Sequence, residues 1–138
     1  MARELSFAVA CALLLAGCNG NSTQGTVSSA TQTRTTDTFS GTVQVGGSNF
    51  HSFPVAQTGT TDVTLTAASP PANVAMGLAV GTPGDGNCAP LAGAAQNVVA
   101  GPTPQITGLT TAGTFCVLVR DIGQATAPVS YTITVTHP

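Results

Sequence analysis

From residue 37 onward, apolar and polar positions alternate with a period of two, the spacing that sends successive side chains to opposite faces of a β-strand. In "FSGTVQV" the alternation puts Phe39, Gly41, Val43 and Val45 on one face, and Gly46-Gly47 then offers a turn. "HSFPV" aligns His51, Phe53 and Val55; Pro54 points the other way and lacks an N–H, which marks an edge strand or an interruption. "DVTLTA" alternates Val63, Leu65 and Ala67 with Thr64 and Thr66, and "NVAMGLAV" aligns Val74, Met76, Leu78 and Val80 with Ala and Gly between them. Further on, "GTFCVLVRD" aligns Phe115, Val117 and Val119, and "YTITV" sets Tyr131, Ile133 and Val135 opposite three threonines. Weaker strand signals lie at Gln96 to Ala100 and Gln105 to Leu109. Gly, Pro and Asp-Gly punctuation separates the runs, "GTPGDGNCAP" reads as a loop, and no helical period of useful length follows residue 37. About seven or eight short strands in about a hundred residues predict an all-β domain, an antiparallel, jelly-roll-like β-sandwich over 37–138.

The pattern before residue 37 is different. Arg3 supplies a positive start, and "LSFAVACALLLA" is an apolar run of about a dozen residues, the length of a signal-peptide core. As a helix it reaches about 18 Å, short of the roughly 30 Å hydrocarbon core of a bilayer. The run closes on Leu15-Ala16-Gly17-Cys18, which resembles the lipobox of bacterial lipoproteins. That resemblance implies a signal peptide over 1–17, cleavage after Gly17, and diacylglycerol attached to the Cys18 thiol. The partner of residue 18 is then the membrane itself, and two or three acyl chains at about 0.8 kcal/mol per buried CH₂ hold the chain there. Asn19 in the following position implies outer-membrane delivery if the envelope is of the Gram-negative kind. An ordinary secretory signal, with Cys18 as a disulfide partner, is the other reading. "NGNSTQGTVSSATQTRTT", residues 19–36, is polar, without apolar period, and reads as a flexible tether after the lipidated Cys, with an r.m.s. reach of roughly 20–25 Å.

Composition narrows the partners. The chain has 3 basic and 5 acidic residues, so it cannot build the basic stripe that nucleic-acid binding requires. No cofactor-binding motif is present. With Cys11 inside the apolar run and Cys18 at the lipobox, Cys88 and Cys116 are the remaining pair, and an exported chain meets an oxidising compartment; a disulfide is expected, with free thiols or a metal site as alternatives. Zinc would need further ligands from His51 and His137, whose spacing fits no motif. A serine-hydrolase elbow is missing, His51 shares its parity with Phe53 and Val55 as a core-rim histidine does, and His137 sits where fraying argues against a precise role. Asp37, Asp62 and Asp121 lie at or beside strands, and Asp85-Gly86 suits a tight turn better than a calcium loop. Catalytic and metal residues are therefore expected to be none.

"FHSFPVAQTGTTDVTLT", "AGTFCVLVRD" and "APVSYTITV", in that order, resemble the bacterial pre-peptidase C-terminal domain over about residues 38–136. The resemblance implies a β-sandwich that accompanies secreted enzymes or stands alone in the envelope, usually without catalysis. Here the peptidase is missing, aromatics are fewer and the Cys pair is extra. The expected role is a binding or structural module at the cell envelope, with an envelope protein or polysaccharide as partner. A carbohydrate-binding module, or an accessory to secreted hydrolases, is the alternative; the chain has no Trp for sugar stacking, but a Thr-rich sheet could grip a polymer by hydrogen bonds.

Overall fold

The computed structural model describes residues 31–138; the expected signal peptide and Cys18 lie outside the described residues. Eight strands form among these residues: β1 (Thr35–Val43), β2 (Ser48–Val55), β3 (Gly59–Ser69), β4 (Ala75–Gly84), β5 (Asn87–Val99), β6 (Ile106–Thr110), β7 (Gly113–Asp121) and β8 (Val129–His137). They make two four-stranded sheets, ordered β1-β8-β3-β6 and β2-β7-β4-β5, antiparallel at every pairing. Each strand of the first half pairs with its mirror in the second: β1 with β8, β2 with β7, β3 with β6, β4 with β5. This is one long ribbon rolled into a sandwich, the eight-stranded jelly roll.

Alternation builds the core. Val129, Tyr131, Ile133 and Val135 of β8 face Phe115, Val117 and Val119 of β7 and Met76, Leu78 and Val80 of β4 across the sheets, all buried. The opposite face of β8 carries Ser130, Thr132, Thr134 and Thr136, which pair in register with Thr42, Ser40, Thr38 and Thr36 of β1. Thr36 with Thr136 and Ser40 with Thr132 are hydroxyl–hydroxyl hydrogen bonds across this exposed face. Pro54 falls on β2, an edge strand, where its missing N–H costs no ladder bond.

Three expectations need correction. Val45 does not continue the buried face of β1; it is exposed, because Gly46 takes a left-handed φ of 72° and Gly47 N–H closes a turn on the Gln44 carbonyl at 2.8 Å. "GTPGDGNCAP" is not a loop but a hairpin: Asp85 and Gly86, at φ 50° and 74°, form the two-residue turn between β4 and β5, the left-handed pair favoured by the twist of the flanking strands. The weaker strand signal at Gln96 to Ala100 is borne out as the end of the long β5, which stops at Val99. At the start of the domain, β1 begins at Thr35 rather than Asp37.

The end of this hairpin departs from a flat sheet. Cys116 of β7 stands opposite Gly81 of β4, and Gly81 opposite Pro90 of β5, so Cys88 is two strands away and two residues further along. In a flat sheet two strand spacings alone separate Cα atoms by roughly 9–10 Å, beyond the reach of a disulfide. Yet Cys88 and Cys116 are bonded, with Cα atoms 5.9 Å apart. The hairpin must fold over the outer face of its own sheet, and Gly81 is what lets it: the place a Cβ would occupy there is filled by the Ala89 carbonyl. The strain of the bend is taken up where the β4–β5 register shifts between Ala79 and Gly81 and residues 91–94 of β5 loop out of the pairing.

Gly81→Ala is therefore expected to cost about 1–3 kcal/mol in urea unfolding. Gly84→Ala, where nothing lies within 4 Å and φ is ordinary, should be neutral or slightly stabilising. Equal effects of the two would show that the fold-over is not what Gly81 serves. Closing a 28-residue separation, the disulfide is expected to contribute about 3.5 kcal/mol, read as the difference between oxidised protein and the Cys88→Ser/Cys116→Ser variant.

Candidate functional site

The outer face of the β2-β7-β4-β5 sheet is built from rungs set by the register. Arg120, Gly77 and Asn97 form one rung across β7, β4 and β5; Leu118, Ala79 and Ala95 form the next; Cys116, Gly81 and Pro90 form the third. The folded-over hairpin makes the third rung a wall. Between it and Arg120 lies a trough of about 480 Å³, whose floor is Gly77 and Ala79 and whose sides carry Pro90, Ala95, Asn97 and Leu118. Its size falls within the range of small-ligand sites.

Gly77 shapes the polar end. A Cβ at this position would lie 2.8 Å from Arg120 Cγ and 2.9 Å from Nε, so the arginine stem lies across β4 in the space a side chain would take. Among the described residues Arg34 is salt-bridged to Asp62 at 2.7 Å and His137 lies 3.1 Å from Asp37; Arg120 contacts neither carboxylate. It is an exposed cation laid along an apolar floor without a carboxylate at contact distance.

The residues singled out from sequence are placed elsewhere, each in a structural role. Asp121, at the end of β7, accepts from the backbone N–H of Gly123, Gln124 and Ala125 on Oδ1 and from Gly46 on Oδ2, tying the β1–β2 turn to the loop after β7. The N–H of Gly46 leads these bonds in holding its carboxyl below the ordinary carboxylate value. Asp62 lies within β3, where the Arg34 guanidinium lowers it, assisted by a 2.8 Å hydrogen bond from Thr107. Asp85 is the turn residue described above.

His51 and Tyr131 meet at the β1–β2 edge of the sandwich, Nε2 to hydroxyl at 2.7 Å, with the imidazole stacked on Phe39 at a centroid distance of 4.8 Å. Gly41 leaves room for the tyrosine, since a Cβ there would lie 2.6 Å from its hydroxyl. Burial pushes the His51 imidazole below its ordinary value and the Tyr131 phenol above its own. His137 is not frayed: it is buried at 4% exposure, bonded to Asp37 through Nε2 and packed on Phe53 at 5.5 Å. Its Nδ1 faces the Pro138 oxygen at 3.3 Å, so both ring nitrogens are engaged and neither holds a hydroxyl nucleophile.

No group of three or more His, Cys, Asp or Glu side chains converges as a metal site among the described residues. The sequence reading missed Arg120, Asn97 and Gly77 as a group. The signal was present: in "NVAMGLAV" every outward position of β4 is Gly or Ala, and in "GTFCVLVRD" Cys116, Leu118 and Arg120 share one parity. Compared with known families and with curated proteins, the chain matches no family model and no curated protein.

The His51 environment makes a pH prediction. With the folded-state value depressed below the unfolded value of about 6.5, the contribution is complete above that pH. It is lost as pH falls, because the unfolded chain takes the proton first. His51→Gln is expected to lower stability by about 1 kcal/mol at pH 7.5 through the altered Tyr131 hydrogen bond. It should also lose less stability than wild type between pH 7.5 and pH 5. Parallel pH profiles for the two proteins, measured by urea unfolding, would remove His51 from this role.

Proposed function

We propose that this chain is a lipid-anchored, exported, non-catalytic binding module of the bacterial cell envelope, held to the membrane through Cys18 and meeting its ligand through the jelly-roll domain. The observation that carries the reading is the trough itself: an open concavity with one exposed cation, on a domain whose other candidate chemical groups are spent on structure. Asp121 accepts four backbone N–H groups, Asp62 is paired with Arg34 and Thr107, and His51 and His137 are each bonded to a neighbouring side chain. General acid–base or nucleophilic catalysis needs a base beside an accessible group it deprotonates; the hydroxyl beside His51 belongs to Tyr131, which is buried at 2% exposure. The lipobox-like Leu15-Ala16-Gly17-Cys18 and the disulfide support an exported, oxidising setting. The similarity to pre-peptidase C-terminal domains fits a sandwich that positions or binds rather than reacts.

Within this reading a saccharide polymer is favoured over a protein partner. The strands carrying the trough's floor and the Leu118–Arg120 side, β4 and β7, are paired on both sides, so the free backbone edge lies only at the outer rim of β5, away from the floor. What the trough offers is side-chain polarity at one end and apolar sides at Ala95, Leu118 and Pro90, suited to the C–H face of a sugar ring.

Two measurements test the proposal. Intact-mass analysis of the protein from bacterial membranes should show an acyl-modified Cys18 at the new N-terminus, and Cys18→Ser should accumulate unlipidated precursor; an unmodified Cys18 in wild type rules out the anchor. A hydrolase substrate panel on the full chain should give no turnover above buffer, whereas turnover abolished in a folded Asp37→Asn variant would make the protein an enzyme.

A further inference from the structure

Resting on the reading of the trough as a saccharide site, we infer that its ligand carries a carboxylate: an acidic sugar unit whose carboxylate pairs with Arg120 while its ring lies against Ala95 and Leu118. Three features converge on this. Arg120 is a full charge beside the floor with no carboxylate at contact distance among the described residues, although the chain's other described arginine, Arg34, is paired at 2.7 Å. Its stem occupies the space vacated at Gly77, so the guanidinium is carried along the floor instead of standing out from the sheet. Packing of this kind reduces the side-chain freedom lost on binding.

The third feature is stoichiometric. One planar guanidinium matches the two oxygens of one carboxylate, whereas a phosphate site usually gathers several N–H donors, and here the backbone beneath is committed to the β-ladders. Asn97, on the same rung as Gly77, adds an amide that can donate to and accept from ring hydroxyls beside the carboxylate. Leu118, Pro90 and the exposed Ala95 give the sides apolar surface, and the small, buried Ala79 keeps the floor beneath them low.

The test is calorimetric titration of the full chain in detergent with two acidic oligosaccharides, a trigalacturonate and a sialyllactose, each beside its neutral methyl ester. At least one acid is expected to bind saturably and its ester at least tenfold more weakly. Arg120→Gln should weaken the acid by tenfold or more and abolish the acid–ester difference. Asn97→Ala should weaken acid and ester alike, and Ala95→Leu, which narrows the trough from its exposed side, should abolish both; unchanged thermal melting establishes that each variant is folded. Absence of binding by both acids, equal affinity of acid and ester, or indifference to Arg120→Gln would overturn the carboxylate assignment. Neutral saccharide binding that is lost in Ala95→Leu but unaffected by Arg120→Gln would overturn it too, while leaving the module reading standing. Preferential binding of a short acidic peptide over every saccharide would overturn the saccharide class itself.

Discussion

Everything in this domain hangs on pairing the first half of the chain against the second. Only β4 and β5 are both neighbours in sequence and partners in a sheet; β3 with β6, β2 with β7 and β1 with β8 join progressively more distant segments, ending with Thr35 opposite His137. Each wider pairing closes a longer loop, and loop-closure entropy rises with length, so the outer pairings depend on the inner ones being in place. The Asp85-Gly86 turn is the closed end of the ribbon, and the disulfide sits near that end, joining β5 to β7 across β4. The covalent bond thus shortens the loops that must close in the later pairings.

The same end of the ribbon makes the trough. The requirement that Cys88 approach Cys116 folds the hairpin across its sheet, and Gly81 removes the one side chain in the way. A fold that would otherwise present a plain sheet face there acquires a wall at Pro90 and a floor of small residues. Stability and concavity share a cause, so a change made to one at Gly81 reaches the other. The opposite sheet instead carries rows of paired Thr and Ser hydroxyls on β1 and β8.

Much of this architecture could be read from the amino acids. The alternation of Val, Ile and Thr identified the strands that became β2, β3, β4, β7 and β8, since burying one face and wetting the other leaves a period-two imprint. What escaped was decided by three-dimensional contact. Cys88 and Pro90 look like loop residues because Gly and Pro surround them, but the left-handed turn at Asp85-Gly86 keeps both sides of the hairpin extended. His137 looks like a fraying terminus, and is instead fixed by Asp37, a partner a hundred positions away that no local pattern announces. The candidate site was half visible: parity puts Leu118 and Arg120 together, but the wall opposite them exists only because of a bend that sequence periodicity cannot express.

One residue ahead of β1 bears on how the domain takes a pull along the chain that precedes it. Arg34 donates through Nη2 to the Thr60 carbonyl at 2.9 Å, to Asp62 at 2.7 Å and to the Thr136 carbonyl at 3.0 Å, reaching past its own strand to β8 and β3. Any tension arriving along the chain before Thr35 meets this side chain ahead of the first rung of β1. Instead of peeling an edge strand one bond at a time, part of the pull passes into the two central strands of the sheet, which are paired on both sides. Arg34 acts as a mooring cleat, spreading a point load over the strongest part of the hull.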